Sequence, residues 1–331
     1  MQTDRPLLTI AIPTYNRSKH LKQLLASLAR QLPGEPEVEL IVSDNCSADD
    51  TPGVVQAFVA GGGQCRYIRN DTNIGPDANF LQCFRQAKGK YFWLIGDDDL
   101  VVPGGLREVI RLLTGTDYDL IYVKPYAYTS KEELPAVPIT TRKLIVYSSC
   151  AKYASKISAM FTFISANIIN KERLRGVDEG LFEAAIGTKL IQLAWTFAAL
   201  NHFRSALFVP QTIILSLSDN SGGWGLCKVM GITFNEMARS RIKSKRVVRI
   251  LENSTLRDFL PYYLFRMKRP DYRLDDESPH EVLSANFKRN PIYWFFDYPI
   301  IKMPAALARA WLIGGRFLSR LARLSLAVLP G

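Results

Sequence analysis

The first 125 residues alternate between short apolar runs and segments in which apolar residues recur at helical spacing. Short apolar runs that are rich in β-branched and aromatic residues are typical of buried strands. The predicted strands are Leu7–Ile12, Val38–Ser43, Cys65–Arg69, Tyr91–Ile95 and Tyr118–Lys124. After Ser18, which we predict to cap a helix, leucines recur at helical spacing from Leu21 to Leu32. Strands that alternate with helices predict an α/β fold whose sheet is mostly parallel, with helices on both faces.

Beyond residue 125 the pattern predicts fewer elements. Phe161–Ile169 and Phe208–Leu217 are predicted strands, and Lys189–Leu200 is a predicted buried helix. From about residue 232 the sequence becomes helical and basic. These changes divide the chain into an α/β domain over residues 1–230 and a helical region over residues 231–331.

The composition is that of a globular protein, with 47% hydrophobic and 22% charged residues among 331. Its net charge of +11 comes from the C-terminal part, because residues 239–331 hold 18 Lys and Arg against 8 Asp and Glu. The remaining residues are nearly balanced, with 24 against 23. A local basic surplus predicts contact with an anionic surface, either a membrane or a nucleic acid.

The cysteines and the apolar segments indicate a cytoplasmic protein. Five cysteines without a Cys-x-x-Cys pair predict neither a disulfide framework nor a zinc site. The N-terminus lacks the pattern of a secretory signal, and no uncharged apolar stretch reaches the roughly 18 residues that a membrane span needs.

Acidic and polar residues follow three of the predicted strands. Asp97, Asp98 and Asp99 come directly after Tyr91–Ile95, while Asn16 and Asp44 follow the first two strands. Ligands of parallel α/β sheets bind beyond the carboxyl ends of the strands. Adjacent carboxylates repel one another unless a cation or solvent compensates them, and hard oxygen ligands suit Mg²⁺ or Mn²⁺. The triplet therefore predicts a metal and diphosphate site, with a solvated acidic turn as the alternative.

Four ordered motifs in the first third of the chain resemble family 2 glycosyltransferases. They are Ile10-Ala11-Ile12-Pro13-Thr14-Tyr15-Asn16-Arg17, Val42-Ser43-Asp44-Asn45-Cys46-Ser47 with Asp49 and Thr51, Asn73-Ile74-Gly75 with Asn79, and Gly89-Lys90-Tyr91 leading to Gly96-Asp97-Asp98-Asp99. The resemblance implies the GT-A fold of nucleotide-diphospho-sugar transferases. It also implies that residues 1–125 bind the donor and residues 126–230 face the acceptor.

The resemblance also implies roles for individual residues. It places the donor nucleotide at the loop after the first strand, with Asp44 on the base or ribose and Asp97 near the ribose. Asp98 and Asp99 would supply the DXD function and hold Mn²⁺ or Mg²⁺. Many relatives have Asp where this chain has Gly96, so the register of the triplet is open by one residue. The full set of implied donor-binding residues is Pro13, Thr14, Tyr15, Asn16, Asp44, Asn73 and Asp97.

The catalytic base is the main departure from the family. Inverting members carry a Glu-Asp pair before a helix in the second half, whereas the comparable segment here, residues 184–190, holds no acid. Asp178, Glu179 and Glu183 lie just upstream and are the candidate bases, with plain surface charges as the alternative. The triplet, the Asn73–Asn79 segment and the Asp-Asn-Ser-Gly-Gly-Trp stretch near residue 222 also resemble abequosyltransferase-like members, which build bacterial surface polysaccharides from activated deoxysugars.

The C-terminal segment predicts a membrane-interface helix over residues 304–329. Four arginines fall within an arc of about 60° on a helical wheel, and most of the remaining surface is apolar and includes Trp311. A narrow basic stripe on an apolar helix is typical of helices that lie in a membrane interface. A core-packing helix or an oligomer contact is the alternative, and we expect no nucleic acid partner. The arginines are Arg309, Arg316, Arg320 and Arg323.

Together these patterns predict a metal-dependent, inverting glycosyltransferase that is peripheral to the inner face of the cell membrane. Its expected partners are a nucleotide-diphosphate sugar and a polyprenyl-diphosphate-linked glycan of an O-antigen-like polysaccharide. Two alternatives stay open. A sugar nucleotidyltransferase should carry a Gly-rich basic loop after the first strand, where this chain has Pro13 to Asn16. A degenerate nucleotide-binding or membrane scaffold would explain the missing Glu-Asp pair.

Overall fold

A computed structural model describes residues 5–129, 143–218, 225–269 and 278–328, with side chains up to Ser319 in the last range. The chain divides into two compact units. The first comprises residues 1–153 with 160–220, and the second comprises residues 154–159 with 221–331.

The described residues form nine strands and thirteen α-helices. The strands are β1 (Leu8–Thr14), β2 (Val38–Asp44), β3 (Arg66–Arg69), β4 (Tyr91–Leu94), β5 (Leu100–Val101), β6 (Leu120–Tyr128), β7 (Ile145–Tyr147), β8 (Asn167–Asn170) and β9 (Ala206–Leu217). The helices are α1 (Ser18–Ala29), α2 (Thr51–Ala60), α3 (Pro76–Gln86), α4 (Gly105–Thr114), α5 (Cys150–Ile157), α6 (Gly180–Glu183), α7 (Gln192–Asn201), α8 (Phe234–Arg241), α9 (Lys245–Ser254), α10 (Leu260–Arg266), α11 (Pro279–Phe287), α12 (Tyr298–Lys302) and α13 (Ala305–Val328).

The nine strands of the described residues form one sheet in the order β3-β2-β1-β4-β8-β6-β9-β5, with β7 also paired to β9. The pairs β3–β2, β2–β1, β1–β4 and β6–β9 are parallel. Because β8 is antiparallel to both β4 and β6, those two strands point in the same direction. Most strands therefore share one direction, with β5, β7 and β8 reversed. The predicted α/β architecture with a mostly parallel sheet is confirmed.

The predicted strand Phe161–Ile169 is wrong over most of its length. Residues 158–166 form short 3₁₀ turns, and only Asn167–Asn170 forms a strand. The Asn167 side-chain amide donates to the carbonyls of Phe163 (2.7 Å) and Met160 (3.2 Å), so these groups are satisfied locally rather than by a neighbouring strand. The Ser165 carbonyl accepts from the Trp93 indole nitrogen at 2.8 Å. Such side-chain bonds compete with ladder pairing.

Helix α1 begins as predicted, but Ser18 is not its cap. The N-cap position is Arg17, and its side chain makes no capping bond. Instead, the Ser18 N–H donates to Asp49 Oδ2 at 2.8 Å, so a carboxylate from the loop after β2 satisfies a free amide at the start of the helix. The helix buries Leu21, like the other leucines of its apolar face, against the sheet.

The second unit is helical. It contains α8 to α13, and π-helical segments at Cys227–Thr233, Thr255–Phe259 and Tyr293–Asp297 lead directly into α8, α10 and α12. Residues 304–329, predicted as one helix, form α13 over Ala305–Val328. Among the helices of the described residues, none combines the length and the apolar character that a membrane span requires.

Gly89 sets how closely β4 can start beside β1. A Cβ atom at this position would lie 2.5 Å from the Thr9 backbone nitrogen, and the Gly89 N–H donates to Thr9 Oγ1 at 2.8 Å. Only glycine therefore lets the backbone before β4 come this close to β1. Since β4 leads into the acidic triplet, this contact helps to fix the position of the triplet.

We expect Gly89→Ala to lower the free energy of unfolding by about 1–3 kcal/mol, because backbone must shift to admit the methyl group. Urea denaturation followed by circular dichroism measures the change. Gly115→Ala is the control, because its nearest atom in the same test is 3.9 Å away and its φ is −84°. Equal losses in the two variants would contradict the close-approach argument.

Candidate functional site

The carboxyl ends of β1, β2 and β4 lie side by side at one edge of the sheet. Strand β1 is central, with β2 on one side and β4 on the other. The register pairs Thr14 with Asp44, and the Ile95 N–H beyond β4 donates to the Ala11 carbonyl at 3.0 Å. The structure thus brings the loop after Thr14, the Asp44 side chain and the acidic triplet to a common edge.

Arg17 joins the first loop to the triplet. Its Nη1 lies 3.0 Å from Asp97 Oδ1, and its Nη2 lies 2.9 Å from Asp98 Oδ2. Thr14 Oγ1 donates to the other oxygen of Asp97 at 2.8 Å. One guanidinium therefore spans two neighbouring carboxylates, an arrangement that suits the planar, always charged Arg side chain.

Burial perturbs two of the three aspartates. Desolvation raises the pKa of Asp97 to about 7, against the opposing effects of Arg17 and the Thr14 hydroxyl. Desolvation, helped by the charge of Asp98, also raises the pKa of Asp99 to about 7. Asp98 is the most accessible of the three, with 19% of its side chain exposed against 4% for Asp97. At neutral pH a cation that favours the charged form would displace protons from the two buried carboxyls.

Asp99 is anchored from the second half of the first unit. Hydroxyls of Ser165 and Ser216 and the Leu217 backbone donate to its carboxylate. The Ser165 hydroxyl also accepts from the Gly96 N–H at 2.9 Å. The triplet is therefore held by β1 on one side and by the β8 and β9 segments on the other.

Asp44 is fully buried and organises the loop after β2. Its Oδ1 accepts from the Ser47 N–H at 2.8 Å, and its Oδ2 accepts from the Tyr67 hydroxyl at 2.6 Å. The Arg69 Nε lies 3.6 Å from Oδ2. A nucleotide would contact Asp44 only after one of these side chains moved, so its donor-binding role stays a prediction.

Asparagines connect the remaining loops. Asn16 has a left-handed φ of 53°, its Oδ1 accepts from the Ala48 N–H at 2.7 Å, and Asn73 Oδ1 accepts from Asn45 Nδ2 at 2.7 Å. Pro13 is buried in β1, whereas Tyr15, two residues later, is 43% exposed. A fixed loop with an exposed aromatic ring offers a stacking surface for a flat ligand.

Two of the three candidate bases are paired with an arginine of α3. Glu179 and Glu183 are exposed and both pair with Arg85, near the C-terminal end of α3. Asp178 is exposed and accepts from the Gly180 N–H at 2.9 Å, just ahead of α6. Because α3 runs back from the carboxyl edge to the amino edge of the sheet, this end of the helix faces away from the strand tips.

The segment that corresponds to the missing Glu-Asp pair does reach the carboxyl edge. Asp77, near the start of α3, accepts from the Gly187 N–H at 2.8 Å and from the Lys189 N–H at 2.9 Å. Eight residues, or about 12 Å of helix, separate Asp77 from Arg85. The structure therefore brings residues 187–189 to the site edge without the carboxylates upstream of them.

Sequence reasoning missed Arg17, Tyr67 and Ser165 as site residues. Arg17 directly follows the loop after β1 in the sequence, but its partner Asp98 lies 81 positions away. Tyr67 and Ser165 gave no signal, because a buried aromatic and a serine are common in any fold. Their importance follows only from the side chains they touch.

The residues fit a divalent cation in chemical type. Carboxylate oxygens suit Mg²⁺ and Mn²⁺, which usually take one or two protein carboxylates and complete their shell with phosphates and water. In the described part of the chain no three or more His, Cys, Asp or Glu side chains converge as a complete metal site. Asp98 and Asp99 can therefore supply only part of a ligand shell.

The sequence is similar to those of known glycosyltransferases. The family model "Glycosyl transferase family 2" matches residues 9–173. The abequosyltransferase RfbV of Salmonella typhimurium is 28% identical over 231 residues, which are 65% of this chain and 67% of that protein. A GalNAc(5)-diNAcBac-PP-undecaprenol beta-1,3-glucosyltransferase of Campylobacter jejuni is 32% identical over 107 residues, which are 32% of this chain and only 34% of that protein.

Solved structures share the fold. Residues 1–349 of TarS from Staphylococcus aureus, in complex with UDP, superpose with a TM-score of 0.60 at 17% identity, covering 93% of this chain and 88% of that one. The mannosyltransferase PcManGT from Pyrobaculum calidifontis, in complex with GDP-Man and Mn²⁺, gives a TM-score of 0.54 at 15% identity, covering 95% and 87%. The expected GT-A fold is confirmed. With the matched motifs and the abequosyltransferase relative, it follows that the chain belongs to glycosyltransferase family 2 and is an abequosyltransferase-like glycosyltransferase.

Proposed function

We propose that the chain transfers a sugar, in the narrowest form a deoxysugar, from a nucleotide-diphosphate donor to a lipid-linked glycan in bacterial surface polysaccharide synthesis. The observation that carries the proposal is the clustering of Thr14, Arg17 and the triplet where β1 and β4 end. The name of the Campylobacter relative, which includes -PP-undecaprenol, supports a lipid-linked acceptor. The surface-glycan setting is supported by that relative and by the abequosyltransferase.

The donor would lie across the carboxyl edge of the sheet. Its base would rest on the loop of Pro13 to Asn16, where the exposed Tyr15 ring offers a stacking face. The ribose would lie toward Asp97 and Asn73. Asp98 and Asp99 would hold Mn²⁺ or Mg²⁺, and such an ion neutralises the charge that grows on the diphosphate as the sugar leaves.

The acceptor hydroxyl would attack the anomeric carbon on the face opposite the diphosphate, which inverts that centre. The attacking hydroxyl must lose a proton, and a carboxylate that takes it has to lie within hydrogen-bond reach. The placement of Glu179 and Glu183 beside Arg85 does not favour them for this task. The proposed location is the inner face of the cell membrane, where a lipid-linked acceptor is available.

Asp98→Ala tests the transferase site directly. With a panel of UDP-, GDP-, CDP- and TDP-sugars and Mn²⁺, we expect the native chain to release nucleotide and the variant to lose at least 100-fold in rate, because loss of a metal-held electrostatic contact costs roughly that much. Coupled nucleotide detection measures the release. Glu37→Gln, an exposed acid at the other end of β2, is the control. Undiminished release by Asp98→Ala would refute the metal role, and no release by either chain would favour a binding scaffold.

Arg17 is expected to influence how tightly the metal binds in the absence of a donor. Its guanidinium already compensates Asp97 and Asp98, so a cation held by Asp98 and Asp99 competes with it for the Asp98 carboxylate. For Arg17→Ala we expect Mn²⁺ alone to bind about 5–50-fold more tightly, which corresponds to the roughly 1–2 kcal/mol of an exposed to half-buried pair. Isothermal titration with Mn²⁺ measures the affinity without any donor. Arg107→Ala, whose side chain is 84% exposed, should leave it unchanged. Weaker Mn²⁺ binding by Arg17→Ala would contradict this competition.

The candidate bases are tested together. From their position beside Arg85 we expect the combined variant Asp178→Asn, Glu179→Gln, Glu183→Gln to keep its transfer rate within a few-fold. Removal of a general base typically costs 10²–10⁴-fold. Single-turnover transfer to the acceptor gives the comparison. A loss in that larger range would show that one of the three reaches the acceptor hydroxyl after all.

A further inference from the structure

The second unit contains a basic groove that the transferase site does not explain. Three segments form it: the end of α8 with the loop that follows, one face of α9, and the turn after α11. Its volume is about 790 Å³. The basic side chains of this groove are Arg239, Lys243, Lys245, Arg249 and Arg289.

The charge of the basic groove is poorly compensated within the described residues. Glu252 is the acid of the lining, and it is already bound by Arg239 at 2.7 Å and by Asn290 at 3.1 Å. Across the part of the chain that the structure describes, no carboxylate lies within 4.0 Å of the Lys245, Arg249 or Arg289 charge. A concave surface with a surplus of cations attracts anions.

The geometry of α9 reinforces this preference. The helix has ten residues, and Ser244 caps it by accepting from the Val247 N–H. Lys245, in the first turn, lines the groove together with Arg249 one turn later. The positive end of the helix dipole therefore adds to the side-chain charges at the same place. Phosphate groups are the anions that such a combination of Lys, Arg and helix terminus binds best.

An apolar groove lies close to the basic groove in the same unit. It has a volume of about 360 Å³ and is lined by Phe295, Trp311 and Leu318 among others. Residues 291–302 form one continuous helical segment, and this segment borders the basic groove at Ile292 and the apolar groove at Phe295. The two lining residues, Ile292 and Phe295, are therefore less than one helical turn, or about 5 Å, apart along the segment.

Helix α13 adds exposed apolar side chains to this region. Leu307, Ile313 and Phe317 are 59%, 60% and 62% exposed. Arg309 and Arg316 are exposed on the same helix, and the Arg316 guanidinium lies 5.1 Å from the centre of the Tyr262 ring. The side chains of Arg320 and Arg323 lie outside the described residues. Cations beside exposed apolar residues are typical of surfaces that bind an anionic membrane.

From this juxtaposition we infer that the basic groove binds the phosphate-bearing headgroups of anionic lipids. In this arrangement the exposed residues of α13 and the Phe295 groove enter the boundary of the acyl chains, while Lys245, Arg249 and Arg289 contact the phosphates. The inference adds a specific headgroup site to the membrane location proposed above, and it is independent of the transfer chemistry. A nucleic acid would use the cations but would leave the apolar surface exposed.

The full chain is tested by co-sedimentation with phosphatidylcholine vesicles that either contain or lack phosphatidylglycerol. We expect binding to require phosphatidylglycerol and to weaken at least tenfold in the double variant Arg249→Gln, Arg289→Gln, because each cation near an anionic surface contributes about fivefold. The matched control is Lys22→Gln with Arg107→Gln, which removes the same charge from exposed positions of the first unit. A second variant, Phe317→Ser, should weaken binding without changing the requirement for phosphatidylglycerol.

Several outcomes would overturn the inference. Equal binding to both kinds of vesicle, or an unchanged affinity in the groove double variant, would remove the headgroup site. Equal or tighter binding of a single-stranded oligonucleotide through the same arginines would assign the groove to nucleic acid. Stabilisation by inorganic pyrophosphate that is lost in the groove double variant, at concentrations that leave vesicle binding unaffected, would assign the groove to a free phosphate compound. Nucleotide release in vesicle-free buffer is scored separately, so failure of the groove and failure of the transferase proposal are distinguishable.

Discussion

The structure of the site depends on how three adjacent aspartates are held at the end of a buried strand. Burial opposes their charge and raises the pKa of Asp97 and Asp99 to about 7. Arg17 and hydroxyls from three separate segments offset part of that cost. These partners come from both sides of β4, so the charge of the triplet fixes the loops around it. Under the proposed function, a cation at this site would take over the compensation that protons and the Arg17 guanidinium now supply.

The parallel part of the fold was predictable because its signals are local. The strands β1, β2 and β4 are short, largely apolar runs, and the helices among them repeat apolar residues at helical spacing. The position of β8 was not predictable in the same way. It pairs antiparallel with β4 and β6, whose paired residues lie at least 45 positions earlier in the chain. Its start is set by the Asn167 amide and the Ser165 carbonyl, which no periodicity records.

In the site, too, residues that are contiguous in the sequence were predictable, whereas contacts between distant residues were not. The motifs located the triplet and the loop after β1, because these residues are contiguous. Their partners were missed where the contact is distant, as with Asp49 at the start of α1 and Arg17 at the triplet. The upstream acids also have partners that the sequence does not indicate. Asp178, Glu179 and Glu183 are near residues 187–189 in sequence, yet Arg85 holds two of them toward the opposite end of α3.

The two units solve the recognition of phosphate in opposite ways. In the first, carboxylates gather at strand ends, so a diphosphate can approach only if a cation comes with it or if Arg17 turns toward it. On the proposed function, this requirement would make binding selective for a ligand that carries its own metal. In the second, the inferred headgroup site would meet the anion directly with Lys and Arg side chains, and the neighbouring apolar residues would favour an anion attached to a lipid. A transferase whose donor is a soluble metal complex and whose acceptor is held at a membrane needs both kinds of site, and it needs them to differ.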